Sequence, residues 1–480
     1  MMLDLHTPQA VRLFPTERQK LYNRLEKKFE TSSKLNRQGV SFQASKTSPI
    51  YRWVKYKEGF SAELVKYFLS EYSKKPGRLL DPFAGSGTTL FAGRELGWES
   101  HGIELLPVGT FIVKARESIA SLKPVQLTEF VNSIPKQLQG FEGSERKIEH
   151  ISITKDAFPE ETEHHLNRYL SFCETVEPEP LQTTLRLAGL AVLEDISFTR
   201  KDGQYLRWDH RSNRTLSGKL FDKGRIYSFD EAITKKLNQI VEDLADTRTP
   251  SLFEELNPIP NVAKAINIIE GSCLKELSCF PEGYFDFTVT SPPYCNRYDY
   301  TRTYALELVY LGLGNNDVRQ LRQTMLSCTV ENKDKIESLR QSYNTIDKAG
   351  VFERILRIYE SSDAMDEVNT ILLALNAQEK LNNSNIPRMV KNYFLELCFV
   401  IYELARVTRS GGYCVMVNDN VRYGGEEIPV DLILSEFAEG FGFEIEKILV
   451  LPRGKGNSSQ QMGVYGRTEV RKCVYVWRRK

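Results

Sequence analysis

The chain of 480 residues holds no Cys-x-x-Cys pair; its eight cysteines are scattered from Cys173 to Cys473. That pattern excludes zinc-ribbon and thioredoxin-type motifs and fits reduced, buried thiols. The six histidines show no metal-ligand spacing, because the adjacent His164 and His165 point apart on a helix. No metal centre is expected. No apolar run approaches the ~20 residues that span a bilayer. The start, MMLDLHTPQAVRLFPTERQK, lacks the apolar core of a signal peptide. A cytoplasmic protein without membrane attachment is expected. Neither sign of charge is in excess. The formal net charge is +1, so global charge does not point to a nucleic-acid binder. Internal repeats and low-complexity tracts are missing too. The remaining composition, 41% hydrophobic and 26% charged, is that of an ordinary globular protein. The length suits one large domain with insertions, or two to three units.

Residues 1–45 read as a polar, basic arm with a helical stretch near Thr16–Glu30. Past Tyr51 the text changes. Ser61 is a plausible N-cap for apolar residues at helical spacing through Leu69. Gly77–Leu80 is a short strand running into Asp81-Pro-Phe-Ala-Gly-Ser-Gly-Thr-Thr89. A helix over Thr88–Leu96 follows, then a strand Glu99–Glu104 that ends in an acid. Strand, glycine turn, helix, strand and acid open a nucleotide-binding βαβ unit. Residues 119–260 are charged and largely helical, with a β-like interlude near Ile196–Tyr227. Strands return at Lys264–Ile269 and Tyr284–Thr290, and 304–387 is again helical. An amphipathic helix Tyr393–Arg406 precedes a glycine stop at Arg409-Ser-Gly-Gly412. A strand Tyr413–Asn418, a helix Pro429–Glu439 and strands Phe443–Leu451 and Cys473–Trp477 complete the chain. The pattern predicts one α/β, Rossmann-like, doubly wound sheet. Its parts lie in 46–118, 261–303 and 388–480, interrupted by mostly helical insertions at 119–260 and 304–387.

The first motif reads as a cofactor loop. Gly85 and Gly87 permit a tight turn and close approach to the backbone. The helix that starts at Thr88 offers unpaired N–H groups and a positive dipole end. These suit the carboxylate end of an amino-acid cofactor. Glu104, on the next strand, is placed to grip ribose hydroxyls. A phosphate-binding P-loop needs lysine after the last glycine, and Thr88 stands there instead. A dinucleotide fingerprint needs a third glycine that this turn lacks.

The second motif, Val289-Thr-Ser-Pro-Pro-Tyr294, follows an apolar and aromatic strand. Two consecutive prolines hold the backbone extended and remove two N–H donors. The loop therefore presents acceptors without competing donors. An aromatic amine is a poor nucleophile because its lone pair is delocalised into the ring. Acceptors that take both N–H hydrogens free that pair. The Ser291 side chain and the Pro292 carbonyl are the candidates, Pro293 stiffens the turn, and Tyr294 is placed to stack on a base. A base in a duplex reaches such a pocket only by flipping out. Cys295 reads as a structural thiol. A cysteine nucleophile for carbon methylation usually follows a single proline.

At these residues the chain resembles the amino-methylating DNA methyltransferases. Val289–Tyr294 looks like the signature of their cytosine-N4 branch; the adenine-N6 branch more often carries Asp or Asn where Ser291 stands. Asp81 to Gly87 resembles the family's cofactor motif, and Glu104 matches its ribose-binding acid. Arg406–Gly412 resembles the helix end before its fifth strand. Tyr51–Leu69 resembles the segment that closes over the cofactor's amino-acid end. The resemblance covers about half of the chain, in blocks, with the cofactor loop ahead of the catalytic loop. It implies S-adenosyl-L-methionine as cofactor, held by Asp81, Pro82, Phe83, Ala84, Gly85, Gly87, Thr88, Glu104 and Ser272. The family often carries an acid after the third strand, and here Gly271-Ser-Cys273 stands instead. The insertion before that strand is also unusually large.

The implied partner is double-stranded DNA, read from a nucleoid-associated position in a prokaryotic cytoplasm. A separate restriction endonuclease would accompany it in a restriction-modification system; no nuclease signature is present in this chain. Residues 199–225 hold eight basic residues against three acids, with aromatics interleaved. Arg200, Lys201, Tyr205, Arg207, Trp208, Arg211 and Arg214 are its candidate nucleic-acid contacts. Arg453, Lys455, Asn457, Gln460 and Arg467 form a second candidate set, in which Asn and Gln could read base edges. Adenine-N6 methylation, RNA base methylation and a catalytically idle binding module are the rival readings.

Overall fold

The computed structural model describes residues 16–32, 35, 39–57, 59–143, 146–202, 205–214, 220–246, 265–346, 348–452 and 470–480. Its strands, in chain order, are β1 (Phe29–Thr31), β2 (Arg78–Asp81), β3 (Glu99–Glu104), β4 (Thr199–Asp202), β5 (Tyr205–Trp208), β6 (Ile266–Glu270), β7 (Phe285–Thr290), β8 (Thr408–Asp419), β9 (Val421–Tyr423), β10 (Glu426–Ile428), β11 (Phe443–Val450) and β12 (Lys472–Arg479). Eight of them form one sheet in the order β1-β11-β12-β8-β7-β2-β3-β6. Neighbours are parallel except at β12, which runs against both β11 and β8. The expected α/β class, with one large and mostly parallel sheet, is observed.

Side chains alternate across a strand, and both faces of this sheet are covered, so its central strands send apolar side chains to both faces. In β8, Val415 and Val417 pack with Leu79, Phe287 and Val474 beneath the helices Ala62–Tyr72 and Thr88–Glu95. Cys414 and Met416 belong to the opposite core, with Leu80, Trp477 and the helices Ile386–Val407 and Val430–Gly440. Ser61 caps the first of these helices by accepting from Leu64 N at 3.3 Å. A third apolar core joins the helices Pro107–Ala120, Pro124–Gln139, Glu160–Cys173, Glu179–Ile196 and Phe229–Asp246 to Ala305–Tyr310. The β-like interlude is the β4–β5 hairpin beside that core.

Three expectations shift. Residues 16–31, expected in a polar arm, are docked. Leu21 and Leu25 enter the core, buried Arg18 pairs with Glu367 and Glu426, and β1 joins the sheet beside β11. The helix expected from Tyr393 begins at Ile386, with a proline in its first turn, where a missing N–H costs nothing. It ends at Val407, and Thr408 is already extended (φ −82°, ψ 128°). The expected glycine stop lies inside β8 instead, where Gly411 (φ +74°) sits at a register shift against β7. All eight cysteines are free, and Cys279 alone is exposed. No helix among the described residues is long and apolar enough to cross a membrane.

Candidate active site

β2, β3, β6 and β7 run parallel, so Asp81, Glu104, Glu270 and Thr290 end them on one edge of the sheet. Open α/β sheets bind ligands at this edge. A cleft opens there. Pro82, Phe83 and Gly85 of the first motif line it, followed by Glu104, Leu105 and Leu106 from the end of β3. Gly271, Ser272 and Cys273 come from the end of β6, and Ser291 and Pro293 from the second motif. Tyr56, Tyr300, Met325 and Leu326 complete the lining. The two motifs, some 200 residues apart in sequence, thus share one cavity.

The glycine turn is tightly held. Ala84 N donates to Ile103 O at 2.9 Å, and Gly87 N donates to Ala84 O at 2.8 Å. Gly85 and Gly87 take φ of +53° and +81°, which glycine adopts without a steric penalty. A Cβ on Gly85 would stand 3.0 Å from the Tyr56 ring, and one on Gly87 would stand 2.6 Å from Val113 Cγ2. A side chain at Gly87 would thus collide with the helix behind the turn, and of the two glycines Gly85 alone lines the cleft. Glu104 uses one lone pair on each oxygen. Its Oε2 accepts from Gly85 N at 2.6 Å and its Oε1 from Leu106 N at 2.7 Å. Burial pushes its carboxyl up to about 7, against the pull of those two N–H donors.

Asp81 does not line the cleft. It is 2% exposed. Its Oδ1 accepts from Phe83 N at 3.0 Å and from Thr290 Oγ1 at 2.7 Å; its Oδ2 accepts from Thr89 Oγ1 at 2.7 Å. One carboxylate thereby staples the first motif to the residue before Ser291. Burial raises its carboxyl to about 6, opposed by all three donors. Ala84, Gly87 and Thr88 likewise shape the turn without lining the cleft.

In the second motif, Ser291 Oγ donates to the Tyr294 hydroxyl at 3.2 Å. With its proton so placed, the serine oxygen keeps its lone pairs as acceptors. Pro292 is buried, and Tyr294 is half-buried beneath the ammonium of Lys472, 5.5 Å from its ring centre. Cys295 is fully buried, and burial drives its thiol well above the ordinary range. A buried, protonated thiol is no nucleophile.

The basic candidates disperse. Lys201 is 4% exposed, forms an ion pair with the buried Glu307, and lies over the Tyr304 ring. Its expected place on a nucleic-acid face is corrected: strand alternation turns it inward. Arg211 is held by Asp209 at 2.6 Å and by Gly224 O at 2.7 Å. Arg214 stacks 3.9 Å from the centre of the Trp208 ring and donates to the Ser152 and Lys155 carbonyls. Arg207 pairs with Asp202 at 3.3 Å and lies over Phe221. Exposed Arg200 stands directly opposite Arg207 across the hairpin, with no carboxylate partner among the described residues. Tyr205 belongs to β5. Arg453, Lys455, Asn457, Gln460 and Arg467 lie outside the described residues. Sequence reasoning missed Met325 and Leu326, which sit in a buried tract within a stretch read as a mostly helical insertion. It also missed Tyr300, whose neighbour Asp299 caps a short turn of helix.

A glycine turn, the acid on the next strand and the Ser291–Tyr294 loop thus meet at one cleft, with Asp81 stapling turn to loop. A family model described as DNA methylase matches residues 8–108, which include the glycine turn and Glu104. The chain is 46% identical over 483 residues to the type II methyltransferase M.AvaI of Nostoc sp. (strain PCC 7120 / SAG 25.82 / UTEX 2576), covering 99% of this chain and 96% of that protein. It is 46% identical to M.AvaI of Anabaena variabilis at the same coverage. Identity to M.BsoBI of Geobacillus stearothermophilus is 40%, over 95% of this chain and 91% of that protein. No solved structure matches the chain. The chain belongs to the amino-methylating DNA methyltransferase family.

Proposed function

We propose that this chain transfers a methyl group from S-adenosylmethionine to the exocyclic N4 amine of a cytosine flipped out of duplex DNA. It would thereby protect sites against a separate restriction endonuclease. The observation that carries the reading is the acceptor-only lip. Ser291 directs its proton to Tyr294, and the two prolines that follow have no N–H. That lip faces Glu104 across the same cleft.

The cleft fits the cofactor. Each Glu104 oxygen retains a lone pair for a ribose hydroxyl, and the apolar Leu105, Leu106 and Leu326 suit an adenine ring. Gly85 and Ser272 border that space. When bound, the cofactor supplies an electrophilic sulfonium methyl. The protein supplies position and polarity. Ser291 Oγ and the Pro292 carbonyl accept the two amine hydrogens and orient the nitrogen lone pair. The Asp81–Thr290 bond fixes the acceptor loop against the cofactor turn. Exposed Arg200, with no carboxylate partner among the described residues, supports a role for the hairpin at the DNA backbone.

The test is methyl transfer from labelled S-adenosylmethionine to unmethylated genomic DNA, with nucleoside mass spectrometry. N4-methylcytosine is expected. N6-methyladenine would refute the cytosine assignment, and label in RNA alone would refute the DNA assignment.

A further inference from the structure

Arg116 lies on the helix Pro107–Ala120 and is 2% exposed. Among the described residues no carboxylate pairs with it. Its Nη1 donates to Ser86 O at 2.5 Å, inside the glycine turn, and its Nη2 donates to Tyr51 O at 3.2 Å. Its Nε is buried without an acceptor. The rings of Tyr51 and Phe91 flank the guanidinium at 5.8 and 5.6 Å. Burial with no counter-ion lowers even this guanidinium to about 10. Leaving a cation buried and unpaired is costly, and folded proteins rarely retain one without a partner.

The position of this charge suggests its partner. Ser86 belongs to the turn before the helix Thr88–Glu95, whose first N–H groups have no partner within the helix. Tyr51 opens the segment that leads to Tyr56 on the cleft wall. The guanidinium ties these two segments together and adds a full positive charge behind the turn. An anion seated at that turn would feel the helix terminus and the guanidinium together.

We propose that Arg116 is the fixed counter-charge for the carboxylate of the cofactor's amino-acid end. It acts from behind the glycine turn, as a positioning residue that holds the Tyr51 segment in place. The proposal rests on the cofactor reading above. It assigns to one buried side chain both the affinity for an anionic ligand end and the closure of the cleft wall.

Two ligands separate this role from a general structural one. S-adenosylhomocysteine carries the carboxylate, and 5′-methylthioadenosine lacks the whole amino-acid end. Dissociation constants for both are measured by calorimetry on the full chain, as wild type, Arg116→Gln and Arg116→Lys. In Arg116→Gln the preference for S-adenosylhomocysteine over 5′-methylthioadenosine falls at least about tenfold, a modest value for one charge interaction inside a protein. Arg116→Lys keeps the charge but cannot span both carbonyls, so it loses less of that preference. If the Gln variant fails to fold, Arg116→Met, which keeps an unbranched apolar stem without the charge, carries the test, and an unchanged preference in a neutral variant overturns the proposal. Equal weakening of both ligands also overturns it, since that is the mark of a damaged fold. Wild-type protein that binds neither ligand overturns the cofactor reading and this proposal with it.

Discussion

Glu104 offers a sharp test of the cofactor reading through pH. In the free protein its carboxyl is raised to about 7 by burial. Each oxygen already accepts one backbone N–H, from Gly85 at 2.6 Å and from Leu106 at 2.7 Å. A bound ribose diol adds two hydroxyl donors, which favour the ionised form and lower the bound-state pKa. Binding below about pH 7 must therefore expel a proton. The sign follows directly. Affinity is highest and flat above the free-state value, and it falls as pH drops through it. With one proton linked, dissociation constants rise about 25-fold between pH 7.5 and 5.5, or about 1.9 kcal/mol.

The assay is calorimetric titration of S-adenosylhomocysteine, which keeps the diol and cannot methylate, in buffers of different ionisation enthalpy. Close to one proton is released at pH 6 and almost none at pH 8.5. Glu104→Gln removes the titrating group and turns an amide N–H2 toward Gly85 N or Leu106 N. The charged acceptor for the ribose hydroxyls is lost and one amide group faces them with N–H2 or a neutral oxygen, so binding at pH 8 weakens by about 1–3 kcal/mol, or about 5- to 150-fold. The variant loses the pH dependence that Glu104 contributes. Asp81, raised to about 6, is a second titrating group nearby. Its three donors all come from the protein, so any effect of its titration appears equally in both proteins. Identical pH profiles for wild type and variant, or tighter wild-type binding in acid, would refute the argument.

Thr290→Val deletes the hydroxyl that bonds Asp81 and keeps the side-chain shape. Single-turnover methylation should slow about tenfold, the worth of one buried charge-assisted bond, while S-adenosylhomocysteine affinity stays within about twofold. A loss confined to cofactor affinity would count against the staple. Arg200→Ala should raise the KM for DNA and reduce the salt slope of DNA binding by about one, with cofactor affinity unchanged; an unaltered slope removes Arg200 from the backbone contact. Lys201→Met should leave Glu307 buried and unpaired and cost about 3–5 kcal/mol in thermal or denaturant unfolding. If it unfolds like wild type but binds DNA more weakly, the inward assignment of Lys201 is wrong.

The legible parts of the sequence were those where local chemistry dictates geometry. β3 was readable to the residue, because the helix stop at Gly97 ahead of it and the acid that ends it leave few alternatives. The helix after the turn was readable for the same reason, as was the Ser61 cap. The basic cluster of residues 199–225 was less legible. Counting charges located it but could not say which charges were already used. Alternation along β4 buries Lys201 and exposes Arg200, yet the hairpin register that decides this is set by tertiary packing. Residues 16–31 misled in a related way. Their polar text hid an i,i+4 pair, Leu21 and Leu25, that suffices to dock a short helix whose Arg18 is satisfied by distant carboxylates.

Asp81 shows why motif reading alone misassigns roles. Its place in the first motif suggested a cofactor contact, but both of its oxygens are used within the protein. What the motif encodes there is coupling. The carboxylate that shapes the glycine turn also fixes Thr290, one residue before the acceptor loop. A cofactor turn and an acceptor loop brought together only by sheet pairing could drift by the thickness of a side chain. Positional slack on that scale can cost a transferase orders of magnitude in rate. A buried carboxylate shared between the two removes that freedom, at the expense of a desolvated acid that titrates near pH 6. The long separation of the two motifs in sequence is tolerable for this reason: their relative position is set by one side chain and the parallel strands beneath it, whatever the length of chain between them.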